Sequence, residues 1–211
     1  MIDQRIVKNV ILDMGGVLVD IAPQNTIKAL KHILQPCVAE SELMNSHQEV
    51  LIAMETGKWT KQEFYDFFKG KCKNGVIEEE IIDAWCAMVL DLPRKRVEMV
   101  KKLASKYSVF LLSNTNTFHI KCVESDFKNR YNYSYKKLFT KIYYSSEIGL
   151  RKPDPACFKF VLEDASLNPA ETVMVDDVEE NCLAAENAGM QALRVPENTG
   201  LEAVIHHLLP N

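Results

Sequence analysis

The stretch Val10-Ile11-Leu12-Asp13-Met14-Gly15-Gly16-Val17-Leu18-Val19-Asp20 constrains this chain more than any other. Its three leading apolar residues make a short buried strand, an aspartate stands at the strand's C-terminal end, and two glycines follow at once. Ligands of open α/β sheets bind at that edge, and glycines let main-chain N–H groups approach an anion closely. A buried strand closed by an ordinary Asp-Gly turn accounts for the same residues. What separates the two readings is whether the pattern recurs.

It does recur. Val109-Phe110-Leu111-Leu112 runs into Ser113-Asn114-Thr115-Asn116, and Val173-Met174-Val175 runs into Asp176-Asp177. Gln191 to Val195 supplies a fourth strand, and a further apolar run, Ile142-Tyr143-Tyr144, precedes the loop Glu147-Ile148-Gly149-Leu150-Arg151-Lys152-Pro153. Helical spacing fills the intervals: about Arg96 to Lys106, from Asn116 through about Phe127, and from Pro155 to about Asp164 behind the N-cap Asp154. Another helix closes at Ala188-Gly189, and His206 and His207 fall on a C-terminal amphipathic helix without an assigned role. Strands alternating with helices imply an α/β fold, a Rossmann-like parallel sheet.

One segment breaks the alternation. From about Pro23 to Leu92 the apolar residues recur only at helical spacing, as in Ile27, Leu30, Ile33 and Leu34. A second helix from Glu49 to Met54 is ended by Glu55-Thr56-Gly57, Thr60 and Glu63 form a capping box before Phe64, Phe67 and Phe68, and a further helix runs from about Glu78 to Leu90 with Trp85 on its apolar face. The division is therefore a core of residues 1–20 and 93–211 with a helical insert at 21–92.

In a parallel sheet the ends of successive strands lie on one edge, so Asp13, Ser113, Asn114, Asp176 and Asp177 converge, with Lys152 in the loop between the last two strands. Two carboxylates suit a hard divalent cation such as Mg²⁺, while a hydroxyl, a lysine and free N–H groups suit phosphoryl oxygens. Twenty-five basic residues against 29 acidic ones, a net charge of −4, offer no broad footprint for nucleic acid or an anionic membrane. The six cysteines, Cys37, Cys72, Cys86, Cys122, Cys157 and Cys182, lack a CxxC pair and read as free thiols of a reducing, cytoplasmic compartment. No apolar run is long enough to span a membrane, and Asp3 and Arg5 interrupt the N-terminus too early for a signal peptide.

With these motifs in this order, the sequence resembles the haloacid dehalogenase superfamily, over nearly its whole length. The matching elements are Leu12-Asp13-Met14-Gly15-Gly16-Val17-Leu18, Leu111-Leu112-Ser113-Asn114, Arg151-Lys152-Pro153-Asp154-Pro155, Val175-Asp176-Asp177 with Asn181, and Ala184-Ala185-Glu186-Asn187-Ala188-Gly189-Met190. The resemblance implies an α/β core with a helical cap after the first strand, and an Mg²⁺-dependent phosphatase acting on a small phosphorylated metabolite. Asp13 would be the nucleophile that forms an aspartyl-phosphate, and Asp13, Asp177 and the main-chain oxygen of Gly15 would hold the metal. Met14, Gly15, Ser113, Asn114 and Lys152 would bind the phosphoryl group, and Asp176 with Asn181 would stand behind the metal ligands. The partners implied are a small metabolite and no nucleic acid or membrane, with the protein a monomer or weak homodimer.

One position departs from the family. Its phosphatases usually carry an aspartate two residues after the nucleophile as general acid and base, and here that residue is Gly15. A subgroup with this Asp-x-Gly pattern, similar to glucose-1-phosphate phosphatases, retains the metal and phosphate groups, which points to a sugar phosphate as substrate. Hydrolysis of a carbon–phosphorus or carbon–halogen bond, or binding without turnover, are the alternatives; a carbon–phosphorus hydrolase would use a cap lysine, such as Lys58 or Lys61. A receiver domain uses a similar residue set but carries its acidic pair on the first strand and has no helical insert. Candidates for the missing proton shuttle are Asp20, His119 and Glu147, each with an ordinary structural alternative: a helix cap, a surface histidine and an anchor for the lysine loop. The Glu55-to-Gly57 turn either selects substrates or merely stops a helix, and Trp85 reads as packing within the insert.

Overall fold

A computed structural model describes residues 2–209, so Met1, Pro210 and Asn211, at the ends of the expected core, lie outside the described residues. Five strands, β1 (Asn9–Leu12), β2 (Ser108–Ser113), β3 (Lys141–Tyr144), β4 (Thr172–Asp176) and β5 (Gln191–Arg194), form one parallel sheet in the order β3-β2-β1-β4-β5. Central β1 pairs Leu12 with Leu111 on one side and Val175 on the other, which sets the ends of β1, β2 and β4 level. That register brings Asp13, Ser113 and Asp176 together.

Successive residues of a strand point to opposite faces, and here both faces are apolar. Val10, Leu12, Val109, Leu111, Val173 and Val175 pack against Val97, Val100 and Leu103 of α5 (Arg94–Ala104) and Phe127 of α6 (Thr117–Tyr131). Ile11, Phe110, Leu112 and Met174 pack on the other side against Phe158 and Val161 of α8 (Pro155–Asp164) and Ala185 of α9 (Glu179–Asn187); α7 is the single turn Ser145–Ile148. The caps are those the sequence indicates: the Asp154 carboxylate accepts from the Ala156 N–H at 2.8 Å, with Pro155 opening α8.

The insert comprises α1 (Pro23–Ile33), α2 (Glu40–Glu55), α3 (Lys61–Lys69) and α4 (Glu78–Cys86). Leu30, Val50, Met54, Phe64, Phe68, Ile81 and Trp85 make its own core, joined by Phe118 from α6. Thr60 and Glu63 close the capping box of α3. The two chain segments joining insert to sheet pair with each other: Asp20 N–H donates to Asp91 O at 2.7 Å, Leu90 N–H to Asp20 O at 2.9 Å, and Ala22 N–H to Met88 O at 2.8 Å.

Four sequence expectations change, one being the last insert helix, which stops at Cys86 rather than about Leu90 because the chain after it pairs with the first linker. The apolar run at 142–144 is a full strand, β3, making five strands rather than four; it sits at the sheet edge with Tyr143 and Tyr144 facing opposite sides, too short for an alternation pattern to declare it. The second insert helix starts at Glu40, well before its apolar residues suggest. The C-terminal amphipathic helix does not form: Leu201–Ala203 and Ile205–His207 are separate 3₁₀ turns. Leu201, Val204 and Leu208 are buried at a spacing that tight turns share with a helix, and the Tyr107 hydroxyl draws the segment down by donating to Leu208 O at 2.7 Å.

Phe64 sits at the middle of the insert core, its ring 4.8 Å from that of Phe118 and 5.1 Å from those of Phe68 and Trp85. Phe64→Ala is expected to cost about 3–5 kcal/mol, read from the urea unfolding midpoint.

Candidate active site

At the C-terminal edge of the sheet the Lys152 ammonium lies buried between two carboxylates, donating to Asp13 Oδ1 at 2.7 Å and to Asp176 Oδ2 at 2.6 Å. The lysine is placed by its neighbour across the sheet. Asn114, just past β2, donates from its amide to Lys152 O at 2.8 Å and accepts from Lys152 N–H at 2.9 Å, a reciprocal clamp on the lysine backbone. The loop after β2 is fixed in turn by Ser145, whose hydroxyl accepts from Thr115 N–H at 3.0 Å and donates to Thr115 O at 3.2 Å. Ser113 is buried at the end of β2.

Behind Asp13 the chain folds on itself, with Leu18 and Val19 N–H donating to Met14 O and Gly16 N–H donating to Val19 O. Gly16 has φ +71°, and a Cβ there would stand 2.2 Å from an Asp177 carboxylate oxygen, so only glycine leaves Asp177 its place beside Asp13. Carboxylate oxygens of Asp13, Asp176 and Asp177 lie within 4.8 Å of one another. They are not equivalent. Both oxygens of Asp176 are occupied, Oδ2 by Lys152 and Oδ1 by the Val178 N–H at 2.9 Å and the Asn181 amide at 3.0 Å. Asp13 keeps its second oxygen, and Asp177 is half-buried against Gly16.

Electrostatics follow from burial. Removal from water raises the Asp13 pKa to about 7, against the pull of Lys152. Burial acts to lower the pKa of Lys152, but the charges of Asp13 and Asp176 outweigh it and hold the ammonium protonated well above its ordinary range. Burial, and then Asp176, raise Asp177. Three carboxylates against one ammonium leave an excess of negative charge at a polar, hard-oxygen site. A divalent cation fits that deficit and that donor set.

The remaining sequence candidates lie elsewhere. Asp20 accepts from Arg96 at 2.8 Å, in a cleft of about 940 Å³ that also touches Gly16 and Asp177. Glu147 is exposed on α7. His119 is neither on the surface nor against Asp13: it lies buried beneath the insert, its Nδ1 accepting from the Asn116 amide at 3.1 Å and its Nε2 donating to Trp85 O at 3.2 Å. Burial lowers its pKa to about 4, leaving a neutral ring with both nitrogens engaged. Where Gly15 replaces the usual aspartate, a Cβ would meet the Ile21 side chain at 3.3 Å, so a methyl group fills the neighbouring space. Lys58 and Lys61 are both exposed.

Two features escape sequence reasoning. The side chain of Asn114 acts on the lysine loop, and Glu55, buried at the end of α2, accepts from Arg151 at 3.0 Å across the seam between insert and core. The turn that follows Glu55 packs so closely that a Cβ on Gly57 would lie 2.6 Å from Ser146 O. The signal for the second pair is that Arg151 adjoins the lysine, but nothing in the sequence names its partner.

Residues 7–189 match the sequence model of the haloacid dehalogenase-like hydrolases, and the chain belongs to that family. It is 30% identical over 193 residues to D-ribitol-5-phosphate phosphatase of Bacteroides thetaiotaomicron, covering 91% of this chain and 93% of that protein. A crystal structure of a haloacid dehalogenase family enzyme from the same organism, in complex with magnesium and inorganic phosphate, superposes with TM-score 0.84 at 30% identity, covering 94% and 98% of the two chains. A HAD-like hydrolase of Porphyromonas gingivalis gives TM-score 0.85 at 25% identity, covering 98% and 99%. Among the described residues, no helix is long and apolar enough to cross a membrane.

Replacing Lys152 by methionine leaves two buried carboxylates without their cation, and is expected to cost about 3–5 kcal/mol in urea unfolding with chelator present. His119 supplies a pH signature. Between pH 6.5, its unfolded value, and about 4, its folded one, the unfolded chain takes up a proton that the folded ring refuses. The contribution of His119 to stability therefore falls as pH falls through that window, by about 1.4 kcal/mol per unit at most, while the raised carboxyls Asp13, Asp177 and Glu55 contribute with the opposite sign, so the signature is read as the difference between wild type and a His119 variant. His47, also lowered by burial, adds in the same direction, and the stability difference between wild type and His119→Gln should narrow as pH falls from 6.5 towards 4.

Proposed function

We propose that this chain is an Mg²⁺-dependent phosphatase of a small polyhydroxylated phosphate ester, a sugar or polyol phosphate, working through an aspartyl-phosphate on Asp13. The observation that carries this is Asp13 itself, one oxygen held by Lys152 and the other left open beside Asp177. The ribitol-5-phosphate phosphatase relative supports the substrate class, and the magnesium and phosphate complex of the related enzyme supports the cofactor.

Asp13, Asp177 and the Gly15 carbonyl would hold Mg²⁺, which offsets charge on the phosphoryl oxygens when bound. Lys152, the Ser113 hydroxyl and the main-chain N–H groups of Met14, Gly15 and Asn114 receive the same oxygens. The free Asp13 oxygen attacks phosphorus, the bond from phosphorus to the ester oxygen breaks, and the leaving oxygen takes a proton from solvent or a substrate hydroxyl. Water then attacks phosphorus, releasing inorganic phosphate and restoring the carboxylate. Asp176, anchored by Asn181 and Val178, fixes the lysine rather than the metal. Because Ile21 fills the space beside Gly15, no carboxylate there shares the proton work, and turnover should be slower by about 10²–10⁴-fold than with a positioned acid.

In this reading residues 21–92 are the cap and 1–20 with 93–211 the catalytic core. Six free thiols support a cytoplasmic setting, and the protein acts as a monomer or weak homodimer. The exposed Lys58 and Lys61 offer no buried amine for cleaving a carbon–phosphorus bond.

The experiment is phosphate release from ribitol 5-phosphate, hexose phosphates and nucleotides, with Mg²⁺ and with chelator, beside Asp13→Asn. Metal-dependent release from the polyol and sugar esters, lost on chelation and reduced at least about 10³-fold by the substitution, is the expected outcome. Phosphate and Mg²⁺ binding without release from any ester would instead establish a non-catalytic binding protein.

A further inference from the structure

No CxxC spacing announces a cysteine pair in this chain, yet the fold brings two distant thiols together. Cys86 is the last residue of α4, in the insert, and Cys122 lies in α6, in the core. The two helices pack directly on one another, and their contact is fixed beside the thiols: the Trp85 ring stacks on that of His119 at 5.9 Å, and His119 Nε2 donates to Trp85 O at 3.2 Å. His119 and Cys122, three residues apart, share a face of α6. The Cys86 and Cys122 side chains meet there as hydrogen-bond partners across the boundary between insert and core. Both are half-buried, and both line a cavity of about 240 Å³ with Val89, Leu92, Val123 and Asp126.

The two sulfurs are not alike. The hydrogen bond from Cys86 holds the Cys122 thiol below its ordinary pKa, against burial and the charge of Asp83. The same bond, then burial and the charges of Cys122 and Asp83, push the Cys86 thiol far upward, so Cys86 S–H donates and Cys122 accepts. Burial raises the thiols of Cys72, Cys157 and Cys182, which leaves them poor nucleophiles. We propose that Cys86 and Cys122 form a peroxide-sensitive pair that closes to a reversible disulfide, a covalent staple between insert and core. The Cys122 thiolate attacks one oxygen of hydrogen peroxide, the O–O bond breaks, and the departing hydroxide takes a proton and leaves as water. Cys122 is then a sulfenic acid, oxidised by two electrons. The Cys86 sulfur attacks the Cys122 sulfur, the S–O bond breaks, and the hydroxyl leaves as a second water with the Cys86 proton. Disulfides that form in reducing compartments are transient and redox-sensing, which agrees with thiols that stand free but face each other. The staple falls next to the second linker, since Val89 N–H donates to Cys86 O and Leu90 N–H to Asp20 O. It is independent of what the active site hydrolyses.

The test treats the native protein with stoichiometric hydrogen peroxide, blocks the remaining thiols and maps the peptides by mass spectrometry, in wild type, Cys37→Ser, Cys86→Ser and Cys122→Ser. Wild type and Cys37→Ser are expected to lose two thiols as one linked pair of peptides containing Cys86 and Cys122, restored by dithiothreitol. Cys86→Ser should leave Cys122 as a sulfenic acid that dimedone captures, and in Cys122→Ser the oxidation of Cys86 should be at least about 10-fold slower. Oxidised wild type should unfold at a temperature higher by about 5 °C or more, because the closed loop restricts the unfolded chain. The wild-type mapping decides the matter should a variant fold poorly. Modification of the exposed Cys37 without a linked pair, or a pair that forms only in urea, would overturn the proposal. A lower unfolding temperature of the oxidised protein would overturn it as well, by showing that the bond is forced on the contact.

Discussion

A lysine ammonium buried between two carboxylates organises this molecule. Lys152 is 1% exposed, and a charge so placed is tolerable only if its partners are fixed and near. Asp13 comes from the end of β1, Asp176 from the end of β4, and the lysine's own backbone is clamped by Asn114 after β2. One residue thus ties the ends of three strands together, two through its side chain and one through its backbone, and the parallel register of the sheet is what makes their meeting possible. The arrangement is also incomplete on its own terms. Two carboxylates answer the lysine, and a third, Asp177, pressed against Gly16, leaves negative charge that a hard divalent cation offsets. The same imbalance supplies affinity for such a cation.

How much of this is legible in the sequence depends on the range of the forces involved. Strand β1, the Asp154-Pro155 start of α8 and the capping box of Thr60 and Glu63 are local, set by residues within a few positions of one another, and each reads directly. The convergence of Asp13, Ser113, Lys152 and Asp176 is legible at one remove, because a parallel sheet puts strand ends on one edge. What stays hidden are pairs that only the closed insert creates. Glu55 and Arg151 are 96 residues apart. His119 looks like a surface residue on the first turn of a helix until Trp85 covers it and Phe118 joins the insert core. The three buried residues near the C-terminus mimic a helix because 3₁₀ turns share its spacing.

The insert is held to the core at both its ends and its middle. Its two linkers pair with each other, as Asp20, Ala22, Leu90 and Asp91 exchange backbone hydrogen bonds. Arg96, buried behind them, donates to Leu18 O at 3.2 Å, to Asp20 at 2.8 Å and to Glu202 at 2.6 Å, so the hinge is tied to the C-terminal turns as well. At the far side Glu55 accepts from Arg151, which adjoins the buried Lys152. The insert is thus fixed to the core by paired linkers on one side and by an ion pair on the other.

The glycine two residues after Asp13 has a structural counterpart in those linkers. Ile21 belongs to the first linker, bridges to Val89 of the second, and carries its side chain to the space a Cβ on Gly15 would enter. An aspartate at that position would need water or a polar partner for its carboxylate, and would find a methyl group. The loop that carries the nucleophile is instead packed directly against the hinge. That space serves contact between the two linkers and the loop after β1. A methyl group from the linker thus stands where a carboxylate at this position would need a polar partner, and the nature of residue 15 and the packing of the linker are set together.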